Sequence, residues 1–268
     1  MFKISIPVYP FRTPTLQWIE SLRWLRTSRR RNEFSLRSYT QGIIRELFGD
    51  SDEVKVCPLL NASLRVAQEI QTHAIVSKEP SYHNQWHAAD VLCSVVALIK
   101  AEEQRGGHVA ALWAKSLVLS AVSHDFMHPG GVNKQPFEIE QLSLMHLQDF
   151  WRGCGMSVDQ LERMRQLVLH TDVSTVPDNH RRVVGREFEF DLDWTTVLMN
   201  EADIAASCSP EFGPELDQQL AEEWRNCGHW KESHTVTVED RQHFLRSVLF
   251  SSPASAVLGW SSMVELQI

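Results

Sequence analysis

Four short groups of residues in this chain are of the types that act on charged esters. The first is Tyr82-His83-Asn84-Gln85-Trp86-His87-Ala88-Ala89-Asp90. The second is His124-Asp125-Phe126-Met127-His128-Pro129-Gly130, the third His170-Thr171-Asp172, and the fourth Glu201-Ala202-Asp203. Imidazole and carboxylate together suit zinc, iron or manganese, while carboxylate with water suits magnesium or manganese. An aspartate beside a histidine can bridge two ions about 3.5–4 Å apart, the separation used by two-metal sites that cleave phosphate esters. A water between two such ions is deprotonated near neutral pH and attacks phosphorus, and the leaving oxygen takes a proton from a histidine held by a carboxylate. Taken singly, each group has a blander reading. A His-Asp dipeptide arises by chance, a lone His83 or His87 suits a hydrogen-bonded core, and Asp203 could pair with an arginine. Four groups in order point to one metal centre.

These groups fall at or near the ends of expected helices. Apolar spacing predicts helices over 59–75, 88–104, 109–122, 138–151, 157–170, 194–206, 216–224 and 239–250, and another beginning at Thr15. Ser157 is the expected N-cap of its helix. A helix beginning near His83 would set His83 and His87 one turn apart on one face. Pro129 breaks the helix that delivers His124 and Asp125. Strand-like alternation is scarce, confined to 2–8 and 187–192. The expected fold is all-α, one helical domain over 56–268, preceded by an arm and basic helical extension over 1–55. Arg12, Arg23, Arg26 and Arg29 to Arg31 make that extension basic; a solvated helix face is the expected reading, with a membrane-surface or docking helix as the alternative.

Composition narrows the function classes. The chain has 268 residues, a net charge of −8, 43% hydrophobic and 22% charged residues. That is an ordinary globular balance and gives no reason to expect a nucleic-acid binder. An acidic protein acting on a phosphate must concentrate positive charge locally, and bound ions do this. The five cysteines form no C-x-x-C pair, so neither a disulfide framework nor a cysteine-zinc site is expected, and a reducing cytoplasm is the expected location. No stretch reaches the ~18 apolar residues of a membrane span, and the chain opens on no signal-peptide pattern.

Tyr82-His83-Asn84-x-x-His87-Ala88-x-Asp90-Val91, followed by His124-Asp125-x-x-His128-Pro129-Gly130-x-x-Asn133, resembles the signature of class I cyclic nucleotide phosphodiesterases, a branch of the HD-domain metal phosphohydrolases. The resemblance runs over about 82–250. It implies an all-helical catalytic domain with two divalent ions, zinc beside magnesium or manganese. His87, His124, Asp125 and Asp203 would hold the first ion, with Asp125 bridging to the second. His83 would be the general acid for the 3′ oxygen. His128, Glu140, Thr171 and Asp172 would order the water shell or orient ligands. Tyr82, Arg241, Gln242 and Phe244 would line the substrate pocket. The segment from Asn133 to Glu140 is shorter than the family's, and Leu142-Ser143 stands where a histidine pair is usual. An asparagine usual after the metal-binding aspartate is replaced by Ala205-Ala206-Ser207, and the base-reading glutamine is absent or shifted to Gln242.

The expected function is hydrolysis of a 3′,5′-cyclic nucleotide, cyclic AMP or cyclic GMP, to the 5′-monophosphate. The alternatives are an HD-type phosphohydrolase acting on another nucleotide or phosphodiester, a binding protein with a relic site, and, more remotely, an iron oxygenase. The expected partner is a small-molecule nucleotide or phosphodiester; oligomeric state is open, a homodimer included.

Overall fold

A computed structural model describes residues 13–31, 33–76, 79–107, 109–231 and 235–268. The extended run expected over 2–8, and Arg12 with it, lie outside the described residues. Among the described residues the chain is helical, with fourteen α-helices, one 3₁₀ turn and no strand. The helices are α1 (Pro14–Arg31), α2 (Leu36–Phe48), α3 (Asp52–Lys55), α4 (Pro58–Val76), α5 (Gln85–Gln104), α6 (Ala111–Ser123) and α7 (Glu138–Gly153). They continue with α8 (Val158–Leu169), α9 (Val176–Val183), α10 (Leu192–Cys208), α11 (Gly213–Asn226), α12 (Val238–Ser247), α13 (Pro253–Leu258) and α14 (Trp260–Glu265). The stretch over 187–190, one of the two with strand-like alternation, is irregular chain. None of these helices is long and apolar enough to cross a membrane.

The helix α5 is the axis of the domain. It packs against α1, α6, α10 and α13, which explains why its apolar residues run round the whole circumference rather than along one stripe. Burying a helix on all sides requires partners for its polar groups, and the sequence supplies them from α1. Trp18 Nε1 donates to Ser94 Oγ at 3.1 Å. Arg26 donates through both terminal nitrogens to both oxygens of Asp90, at 2.8 and 2.7 Å. Both side chains of that pair are buried. Trp18, Leu22 and Leu25 of α1 and Leu36, Tyr39 and Ile43 of α2 belong to the same core cluster as α4, α5 and α6. The basic stretch is therefore not solvated throughout. Arg26 is buried against Asp90, and only the far side of α1 carries exposed arginines such as Arg30 and Arg31.

Capping explains where the site-bearing helices begin and end. Ser157 caps α8 with a reciprocal hydrogen bond to Gln160, the pattern that satisfies two orphan backbone donors at once. At α5 the cap is Asn84, whose Oδ1 accepts from Trp86 N and His87 N. The helix thus starts after His83, and His83 sits in the turn ahead of it. The His83 and His87 rings nevertheless meet, their centroids 5.7 Å apart.

Candidate metal centre and proton donor

Four side chains from three segments meet at one point. His87 comes from the first turn of α5, His124 from the C-cap of α6, Asp125 from the turn beyond it, and Asp203 from the interior of α10. His87 Nε2 lies 3.2 Å from Asp125 Oδ2 and 3.0 Å from Asp203 Oδ1. His124 Nε2 lies 3.1 and 3.3 Å from the same two oxygens, and the two ring nitrogens are 3.3 Å apart. Both imidazoles are buried, whereas the aspartate side chains keep 22% and 24% of their surface exposed. The cluster therefore opens outward through its carboxylates.

The donor set fits a divalent cation. Two imidazole nitrogens and two carboxylate oxygens, all within 4.8 Å of one another, form a four-ligand set of the N/O type that zinc accepts. Burial alone would push both histidines down, but Asp125 and Asp203 outweigh it. They hold His87 up to about 9 and His124 well above the usual histidine range. The same pairing holds both aspartates well below the usual carboxylate range. Two protonated nitrogens 3.3 Å apart repel each other, whereas one cation takes a lone pair from each.

His83 sits beside this cluster and is held from another helix. Its Nδ1 pairs with Oε1 of Glu223 on α11. The other oxygen of Glu223 accepts the backbone N–H of Tyr82 at 2.8 Å and of His83 at 3.0 Å. Glu223 is buried, yet the His83 ring and the two backbone donors hold it below the usual carboxylate range. With Nδ1 engaged, Nε2 is the ring nitrogen left to meet a substrate. Glu223 was absent from the sequence reading. Its signal was present: Leu216, Leu220 and Glu223 recur at i, i+4 and i+7, which sets the carboxylate on the buried face of α11.

His128 stacks on His83, ring centroids 3.7 Å apart and planes inclined by 24°. Asp125 lies within reach of both rings. Imidazole lone pairs lie in the ring plane, so two stacked rings cannot aim at one ion unless one turns. The trio is better described as a stacked pair than as a second chelate. Gly130 N donates to His128 Nδ1 at 3.0 Å, and burial lowers His128 to about 3, so the platform under His83 is neutral. Gly130 has a φ of +81°, and a Cβ there would meet Glu223 Cγ at 3.2 Å and Pro80 Cβ at 3.5 Å. A glycine satisfies both demands.

The residues expected around the second ion are held by separate hydrogen bonds. Asn133 donates through Nδ2 to Glu140 Oε2 and accepts Ile139 N through Oδ1. Burial raises the Glu140 carboxyl, with Asp172 and Asp125 adding to the rise after the Asn133 hydrogen bond opposes it. Asp172 accepts Phe137 N and Ser174 N on separate oxygens. It thus ties the start of α7, which carries Glu140, to the turn after α8. Thr171 Oγ1 donates to Val168 O.

The expected substrate contacts are more dispersed. Tyr82 is nearly buried, its ring against His83 and His87, its hydroxyl 2.9 Å from Ser207 Oγ. Arg241 donates to Ser207 O, Ser209 O, Asp217 Oδ2 and Gln267 Oε1. It is a clasp joining α10, α11 and the C-terminal end. Gln242 Oε1 accepts from Arg246, and Phe244 packs on the small cluster of Cys208, Leu245 and Val264.

Residues 82–146 match the model of the 3′5′-cyclic nucleotide phosphodiesterase family. No curated protein matches the chain by sequence. Among solved structures, LmjPDEB1 in complex with IBMX is similar with a TM-score of 0.69 at 14% identity, over 97% of this chain and 91% of that one. The phosphodiesterase domain of the RhoPDE fusion protein from the choanoflagellate Salpingoeca rosetta is similar with a TM-score of 0.58 at 14% identity, over 99% of this chain and 92% of that one. The segment that holds both motifs thus matches the class I cyclic nucleotide phosphodiesterase family, and the whole chain has the all-α fold of phosphodiesterase domains.

Proposed function

We propose that the protein is a metal-dependent phosphodiesterase that hydrolyses a 3′,5′-cyclic nucleotide to its 5′-monophosphate. The observation that carries this reading is the meeting of His87, His124, Asp125 and Asp203 beside a histidine already clamped by Glu223. His87, His124, Asp125 and Asp203 would hold the first divalent ion, a zinc, and Asp125 would face a second, magnesium or manganese. Bound there, the ions supply positive charge that polarises the phosphoryl oxygens.

The protein's own groups account for the rest. Glu223 accepts from Nδ1 and fixes the His83 ring, so that with both ring nitrogens protonated the Nε2 proton points toward the departing 3′ oxygen. His128 supports the ring from one face without adding charge. Asp172 and Asn133 position Glu140, and Thr171 stands next to Asp172 at the end of α8. General-acid transfer of this kind contributes ~10²–10⁴-fold.

The departures at Ala206 and Arg241 favour a second reading, an HD-type hydrolase acting on another phosphodiester. A clasped arginine and an alanine cannot present an amide to a base edge. Turnover assays with manganese, or zinc plus magnesium, separate the two. Hydrolysis of cyclic AMP or cyclic GMP supports the first; inertness toward both with turnover of simple phosphodiesters selects the second.

A further inference from the structure

Arg29, in the last turn of α1, touches both elements that bring His83 and Glu223 together. Its Nη1 donates to Gln219 Oε1 on α11 at 3.0 Å. Its guanidinium carbon lies over the ring of Trp86, in the first turn of α5, 5.9 Å from the centroid. Gln219 precedes Glu223 by four residues, one turn along the same face of α11. Trp86 follows His83 by three residues, and Asn84 Oδ1 accepts its backbone N–H at 2.9 Å. Arg29 also acts on the chain leading into α5. Burial raises the Glu79 carboxyl, opposed by its hydrogen bonds to Gln85 and by the nearby Arg29 charge.

We propose that Arg29 is a positioning residue for proton transfer, holding α11 and the start of α5 at the spacing at which Glu223 reaches His83. The inference rests on the reading of His83 as proton donor given above, and Arg29 acts through Glu223 rather than on the substrate. Its own base is firm. Trp18, Leu22 and Leu25 set α1 in the core, and Arg26 pairs with Asp90 one turn earlier. A side chain anchored in this way transmits the position of the core to both partners.

The neighbouring arginines are placed differently. Arg23 makes two hydrogen bonds to Glu211, but the two side chains are 58% and 43% exposed, and solvent screens such a pair. Arg30 and Arg31 are exposed, whereas Arg29 is half-buried. The residue type matters as well. A planar guanidinium can lay its face on an aromatic ring while an edge N–H donates, which an ammonium cannot do. Phe34 stacks on the same indole, centroids 4.4 Å apart and planes inclined by 30°, and restricts the ring that Arg29 rests on.

The test compares two leaving groups. The 3′ oxygen of cyclic AMP departs as an alkoxide that needs a proton, whereas 4-nitrophenolate departs without one. Arg29→Ala should lower kcat for cyclic AMP about tenfold, a loss about fivefold greater than for bis(4-nitrophenyl) phosphate. KM for both esters and the metal content should stay at the level of the unmodified protein. Where Arg29→Ala prevents folding, Gln219→Leu removes the acceptor on α11 alone and should give the same split. His83→Ala supplies the reference, because its loss should also be greater for cyclic AMP than for the nitrophenyl ester. If the unmodified protein hydrolyses neither cyclic AMP nor cyclic GMP, or if His83→Ala slows both esters equally, the underlying reading fails and this assignment falls with it. If His83→Ala shows the split but the Arg29 and Gln219 variants slow both esters equally, or slow neither, the positioning role alone is overturned. A rise in KM for cyclic AMP of about tenfold in Arg29→Ala would also overturn it, placing Arg29 against the substrate.

Discussion

Glu223 holds His83 through three points at once: the ring Nδ1, the backbone N–H of His83 and that of Tyr82. The two residues are 140 positions apart, so the His83 ring, the proposed proton donor, is oriented only when α11 has docked. Glu223→Gln keeps the size and the backbone contacts but removes the charge. Turnover should fall about 10–100-fold, the usual cost of losing an orienting partner. Metal content measured by mass spectrometry should be unchanged, and activity equal to the unmodified protein would refute the clamp.

His83→Ala should reduce turnover by ~10²-fold or more without loss of bound metal. Asp125→Ala should remove metal and activity together, since it withdraws an oxygen shared by both histidines. Retention of stoichiometric metal in Asp125→Ala would show that the four-ligand set is misassigned.

Gly130→Ala combines a left-handed backbone with a methyl group against Glu223. The backbone strain alone costs on the order of 1–3 kcal/mol, visible as a lower melting temperature. The displaced Glu223 should also lower turnover, so the variant should be both less stable and less active. A stability loss with full activity would separate the glycine from the proton donor.

Arg26→Met leaves Asp90 charged and buried. Breaking one half of such a pair costs about 3–5 kcal/mol, so the melting temperature should drop well below that of the unmodified protein. The double variant Arg26→Met with Asp90→Leu should recover much of the loss. Equal melting temperatures for the single and double variants would argue against a buried charge at Asp90.

Burial holds His180 down to about 4, so its neutral ring is the folded form. The unfolded chain takes up the proton at about 6.5. Stability from this group is therefore complete above 6.5 and is lost as pH falls toward 4. Melting curves of His180→Gln should fall less steeply than those of the unmodified protein across that window. Parallel curves would contradict the assignment.

The all-helical fold and the four side chains that cluster are legible because their evidence is local. Apolar spacing marks α4 to α8, and the motif spacing places His87, His124 and Asp125 at helix ends. The domain division into 1–55 and 56–268 is harder to read, because Arg26 looks like part of a basic run. Its spacing from Trp18, Leu22 and Leu25 puts it on the buried face, and only the partner Asp90 explains it. Apolar spacing starts α5 at Ala88, whereas the Asn84 cap starts it at Gln85 and leaves His83 in the turn ahead. Glu223 is harder to read because it is one of two adjacent glutamates told apart only by helix face, and its partner lies far away in sequence. The short helices α3, α9, α13 and α14 carry too few turns for periodicity to register.

The clasp between α1 and α5 has a consequence for how this chain can be divided. Asp90 belongs to the motif that supplies His83 and His87, and its counter-charge comes from Arg26. A shortened chain starting at residue 56 would keep every metal-competent side chain yet strand a carboxylate in the core and bare the flank of α5 that Trp18 and Leu22 cover. A fragment that keeps this core therefore begins no later than α1, and boundaries drawn from the motifs alone would cut through it.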